Sequence, residues 1–178
     1  MPNPASFKAI ACAFPASSRL PQYLEQFSFT DSYCVGLSRP DLTIQQVYLA
    51  LFAHHPWWAK LLLLLRTWIV SLFGIGGPTA RQMNRVEIKD AYAIGEKIAL
   101  FTLYAQDTDE LIAGGNDKHL DFRVSVLRLT ENGTARVVVT TVVQTHNLFG
   151  CVYLAIITPF HKFGVKHLLS TAVARGRL

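Results

Sequence analysis

Apolar and polar positions alternate most cleanly where Leu120, Phe122, Val124 and Val126 are interleaved with Asp121, Arg123 and Ser125. A period of two predicts a strand with one buried face. Residues 135–144 are rich in valine and threonine and predict a second strand. Asn132-Gly133 lies between them and predicts a hairpin turn, because both residue types tolerate positive φ. Shorter strands are expected over residues 31–37, 97–105 and 110–113, with Gly114-Gly115-Asn116-Asp117 as a turn. Residues 1–28 hold Pro2, Pro4, Pro15, Pro21 and Ser17-Ser18 without a sustained period, so they form an irregular N-terminal arm.

Helical spacing interrupts the strands twice. Asp41 or Thr43 can cap a helix whose apolar face is Ile44, Val47, Tyr48 and Leu51, ending at His54-His55-Pro56. Pro56 suits the first turn of a second helix, which Gly74-Ile75-Gly76-Gly77-Pro78 ends. After the last strand, Leu148, Val152, Ile156, Phe160 and Phe163 recur at spacings of four and three, predicting a helix over residues 148–174 with a kink at Pro159. The order gives an α+β fold in which a curved antiparallel sheet wraps a long C-terminal helix, with two helices inserted after the first strand. Residues 29–178 make one domain behind the arm.

A chain of 178 residues, 51% hydrophobic and 16% charged, can bury a core without staples and is too apolar to be disordered. The basic excess, 17 against 12, is mild and spread along the chain, with no nucleic-acid arm. Cys12, Cys34 and Cys151 lack metal or redox spacing, and Pro15 cuts the apolar stretch after Lys8 too short for a secretory signal, so a reducing cytoplasm is expected. The stretch from Ala59 to Ile75, with five consecutive leucines at Leu61–Leu65, is shorter than the ~20 residues of a membrane span and carries Arg66 at its centre. A core helix is expected, with membrane contact at most peripheral. Arg66 then needs a partner other than bulk water, either a carboxylate, with Asp31 and Asp121 as candidates, or several backbone carbonyls.

No residue set specifies a catalytic role. His54-His55 point about 100° apart on a helix and have no metal-ligand partner in a motif, so no metal and no cofactor is expected. A cavity between sheet and terminal helix would be walled by Phe101, Leu103, Phe122, Val124, Val139, Thr141, Tyr153, Ile156 and Phe160, with His161 or Arg123 at a polar edge. A one-residue error in strand parity would instead turn Arg123, Ser125, Val138, Thr140 and Val142 inward. His161 can orient a ligand or move a proton, yet it can equally satisfy a backbone carbonyl freed by Pro159, and no carboxylate is near it in sequence.

Three segments carry a family resemblance. They are Pro56-Trp57-Trp58-Ala59-Lys60-Leu61-Leu62 with Leu65-Arg66-Thr67-Trp68 and Phe73-Gly74-Ile75, then His119-Leu120-Asp121-Phe122-Arg123, then Phe149-Gly150 with Tyr153 and Pro159-Phe160-His161. Together they resemble the bacterial domain-of-unknown-function family 2867, grouped with the START, polyketide-cyclase and birch-pollen-allergen superfamily. The resemblance implies a helix-grip fold. It does not imply an activity, since members of the wider superfamily bind lipids, sterols and polyketides or catalyse cyclisation. Some similar chains are fused to an oxidoreductase domain, which makes an oxidoreductase a possible partner; a glycine-rich phosphate fingerprint is lacking here. The expected function is binding of a small to medium hydrophobic molecule or lipid. The alternatives are a cyclase- or dehydratase-like enzyme using His161 with Tyr153 or Arg123, and a non-catalytic interaction module with a filled core.

Overall fold

The computed structural model describes residues 8–53, 89–131 and 133–178. Their order is β1 (Ile10–Ala11), a 3-10 turn (Leu20–Gln22), β2 (Phe29–Gly36), α1 (Ile44–Phe52), β3 (Lys97–Ile98), β4 (Phe101–Gln106), β5 (Glu110–Asn116), β6 (Leu120–Glu131), β7 (Thr134–Thr145) and α2 (Leu148–Ala174). The seven strands form one antiparallel sheet in the order β1-β2-β7-β6-β5-β4-β3. This α+β arrangement is compatible with a helix-grip fold. The first inserted helix is α1, and the second, expected from Pro56, falls outside the described residues.

Each helix starts where its capping chemistry dictates. The Thr43 hydroxyl accepts from the Gln46 amide at 3.2 Å and the Gln46 side chain accepts from the Thr43 amide at 2.9 Å, a reciprocal capping box. Asn147 accepts from the Gly150 amide at 2.9 Å to open α2, which remains helical through Pro159. A Cβ on Gly150 would strike the His119 carbonyl oxygen, so glycine lets α2 begin directly against the β5–β6 turn.

Both faces of the sheet are covered. On the helix side, Tyr33, Val35, Leu103, Leu111, Ala113, Val124, Val126, Val137 and Val139 pack with α1 and with Leu169, Ala172 and Val173 near the end of α2. On the opposite side, Leu20 and Leu24 from the N-terminal arm pack on Ala105, Ile112 and Val142. The arm is therefore not wholly irregular: Ile10 and Ala11 extend the sheet beyond β2, and the 3-10 turn closes the arm-side core. Glu110 fixes it there, 2% exposed, accepting from the Ser18 and Ser125 hydroxyls at 2.6 Å each and from the Arg19 amide at 2.9 Å.

Two turns differ from the sequence reading. The strand expected over residues 97–105 folds back on itself, Ile98 pairing with Phe101 across Ala99, whose φ of 52° is unusual for a residue with a side chain. Gly114 and Gly115 do not turn but continue β5 to Asn116. A Cβ at 114 would strike the Phe122 carbonyl oxygen, and one at 115 would come within 3.1 Å of the Phe122 ring. Gly114 admits the neighbouring strand's backbone and Gly115 its Phe122 ring, and neither changes the direction of the chain.

Candidate functional site

Strand register fixes what faces α2. Asp31 is opposite Thr141, which is opposite Val124, which is opposite Ala113. One pair along, Phe29, Val143, Phe122 and Gly115 form the next row on the same face. Phe101 meets Phe122 edge to face at 5.1 Å, Phe52 of α1 meets Phe101 at 6.0 Å, and Tyr48 tilts against Phe52 at 4.7 Å. A row of aromatic rings thus crosses the sheet from α1, and Phe101 and Phe122 within it, like Phe29 on the far side of Val143, are only half-buried.

The inward side of α2 carries Tyr153, Leu154, Ile157, Thr158 and His161, all half-buried, whereas Leu169, Ala172 and Val173 further along are buried. The helix packs tightly at its C-terminal end and loosely over the aromatic row. His161 lies edge-on to Phe29 at 5.9 Å and its Nε2 is 3.3 Å from Asp31 Oδ1. The Asp31 side chain is 8% exposed, and its Oδ2 has no hydrogen-bond partner. Burial, then the neighbouring Asp31 carboxylate and the hydrogen-bonding approach of the hydroxyl to it, push ionisation of the Tyr33 hydroxyl above its ordinary range. Lys162 and Lys166 hang over the Phe29 and Tyr33 rings at 5.8 and 5.2 Å. The Tyr48 hydroxyl is also buried without a partner, and burial raises its ionisation.

Of the site residues expected from sequence, Phe101, Leu103, Phe122, Val124, Val139 and Thr141 share the helix-side face, His161 meets it at Asp31 and Phe29, and Tyr153 is half-buried on α2. Ile156 and Phe160 do not; they are 58 and 51% exposed on the outer side of α2. Arg123 lies on the arm-side face, stacked on Tyr104 at 3.8 Å and donating to Asn116 Oδ1 and the Phe122 carbonyl at 2.8 Å each. Burial lowers its pKa, against the opposing influence of Tyr104 and Asp121. It therefore cannot edge a cavity beneath α2. Asp31 enters the site in its place. Sequence suggested it only as a partner for Arg66, which lies outside the described residues, as do His54 and His55; Asp121 faces His146 at 3.3 Å.

Among the described residues no group of three or more metal-binding side chains comes together. His161 sits on the inner side of α2 while His167 stacks on Phe163, so the two do not converge. Chemically, the site offers an apolar floor and a buried carboxylate with one oxygen free beside an imidazole. The family signature accounts for most of this chain, from residue 23 to residue 168. The protein belongs to the DUF2867 family of proteins of unknown function. No curated protein and no solved structure matches it. The stretch that DUF2867 matches includes Asp31, Tyr33, Thr141 and His161, and begins after Ser18 and Arg19.

Proposed function

We propose that this DUF2867 protein binds a small to medium apolar molecule between the helix-side face of the sheet and α2, with a hydrogen-bond donor of the ligand placed on Asp31. The observation that carries this reading is the free Oδ2 of a carboxylate that is 8% exposed, set beside half-buried Phe29. A buried carboxylate that has only a long contact with His161 and the nearby Tyr33 hydroxyl keeps acceptor capacity to fill, and a bound hydroxyl or amine would fill it while the aromatic row takes the apolar body. Membership of the START-like helix-grip superfamily and a bacterial source fit this container role. So does a cytoplasmic location, where three unpaired cysteines stay reduced.

A second reading has one specific support. Asp31 beside His161 Nε2 is the arrangement that fixes an imidazole for proton transfer, as a cyclase- or dehydratase-like enzyme would need. Half-buried Tyr153 is then the remaining candidate beside His161, because Arg123 lies on the opposite face of the sheet.

The test is uptake of an environment-sensitive naphthalene dye by the full chain, paired with native mass spectrometry of protein purified from cells. Wild type should take up the dye or carry an apolar molecule, and Val124→Trp should abolish uptake while keeping a cooperative melt. A filled core would instead be overpacked by the same change, at about 1–3 kcal/mol. Wild type that takes up no dye and carries nothing overturns the proposal and leaves the interaction-module alternative in front.

A further inference from the structure

The most apolar stripe of α2 points away from the sheet. Leu148, Val152, Ile156, Phe160 and Phe163 are 79, 51, 58, 51 and 65% exposed. The helix is long and apolar enough to cross a membrane, yet only 11% of its most apolar stretch is buried within the protein. A core helix turns such a stripe inward, and an exposed one of this extent marks an interaction surface.

Charge identifies what meets it. Residues 132–178 contain no Asp or Glu and carry Arg136, Lys162, Lys166, Arg175 and Arg177, so the whole formal net charge of +5 resides there. The remaining twelve basic and twelve acidic residues balance. Because these cations never form a run, the excess looks diffuse along the sequence. On the helix, exposed Lys162, Lys166 and His167 share the outer arc with the apolar stripe. Apolar side chains bordered by lysines, on a helix that itself carries no acid, complement an anionic lipid interface: the alkyl stems follow the acyl boundary and the ammonium groups reach the phosphates. A second copy of the chain fits less well, since a symmetric contact would bring this acid-free patch against itself.

We propose that α2 docks the protein on an anionic lipid surface, lying in the plane of the interface. Spanning is disfavoured because Leu169, Ala172 and Val173 are buried in the core and His161 meets Asp31, holding the other side of the helix to the sheet. The proposal does not depend on a ligand beneath α2.

The experiment is flotation of the full chain with phosphatidylcholine vesicles, with and without phosphatidylserine, at low and high salt. Wild type should float with the anionic vesicles and lose binding as salt rises. Ile156→Glu with Phe163→Glu should abolish flotation, and Lys162→Gln with Lys166→Gln should weaken it by about tenfold or more. Both doubly substituted proteins should keep a cooperative melt, slightly lowered where the contacts of Lys162, Lys166 and Phe163 with the Phe29, Tyr33 and His167 rings are lost. Three results would overturn the idea: wild type that ignores anionic vesicles, flotation unchanged in the glutamate variant, or self-association that the glutamates abolish without any vesicle binding.

Discussion

Glu110 and Asp31 are both buried carboxylates, one on each face of the same sheet, and their surroundings differ. Glu110 accepts from two hydroxyls and a backbone amide, and thereby ties the N-terminal arm to the arm-side face. Asp31 has one long contact with His161 and an oxygen with no donor, in a layer where neighbouring aromatics are half-buried. A carboxylate whose acceptor capacity is filled from within the chain serves the fold. One left open beside an apolar surface has capacity for something from outside.

The contrast breaks if the two respond alike to substitution. Glu110→Ala leaves the Ser18 and Ser125 hydroxyls and the Arg19 amide without their acceptor, and should cost about 3–5 kcal/mol in urea unfolding. Arg123→Ala removes the stack on Tyr104 and two short hydrogen bonds on that same arm-side face. It should cost about 2 kcal/mol and leave dye uptake unchanged. Asp31→Asn removes a buried charge that little compensates, so stability should stay within about 1 kcal/mol of wild type. Its effect should appear in affinity for an apolar probe bearing a hydroxyl or amine, compared with the unsubstituted probe. An Asp31→Asn loss as large as that of Glu110→Ala would make Asp31 another structural carboxylate.

The sidedness of the sheet was legible in the sequence, the two carboxylates were not, and the gaps have physical causes. The β6 alternation places Phe122 and Val124 on one face and Arg123 and Ser125 on the other, and pairing carries that parity to Val139 and Thr141. The β7 strand alone could not supply it, since residues 137–143 are buried throughout by cover on both faces. The bounds of α2 follow from its apolar period, but its inward face does not. Hydrophobicity normally marks the buried side, whereas here Leu148, Val152, Ile156, Phe160 and Phe163 are exposed and the sheet-facing side mixes Leu154 and Ile157 with Thr158 and His161. Asp31 carries no local signal, because its neighbour His161 is 130 residues away and only the fold joins them. Gly114-Gly115 resembles a turn because glycine serves both turns and close approaches of neighbouring strands.

The smallest expected effect sharpens the comparison through thiols. Ile10 pairs with Cys34, and the Cys12 amide donates to the Ser32 carbonyl at 3.0 Å, which sets Cys12 diagonally from Cys34 on the arm-side face. Burial, with Cys34 beside it, pushes the Cys12 thiol from 9.0 up to about 12. An unfolded chain then releases this proton at lower pH than the folded one, so in that range the folded state binds more protons. Stability from this group is fully present below about pH 9 and declines as pH rises toward about 12. Thermal melts from about pH 8 to about pH 11 should therefore fall less steeply for Cys12→Ser than for wild type. Cys151, exposed on α2, should account for the fast thiol reaction at mildly alkaline pH, and Cys151→Ser should remove it. Rapid reaction that persists in Cys151→Ser and disappears in Cys12→Ser would show the arm-side face to be open, and the two faces of the sheet would no longer differ in the way proposed.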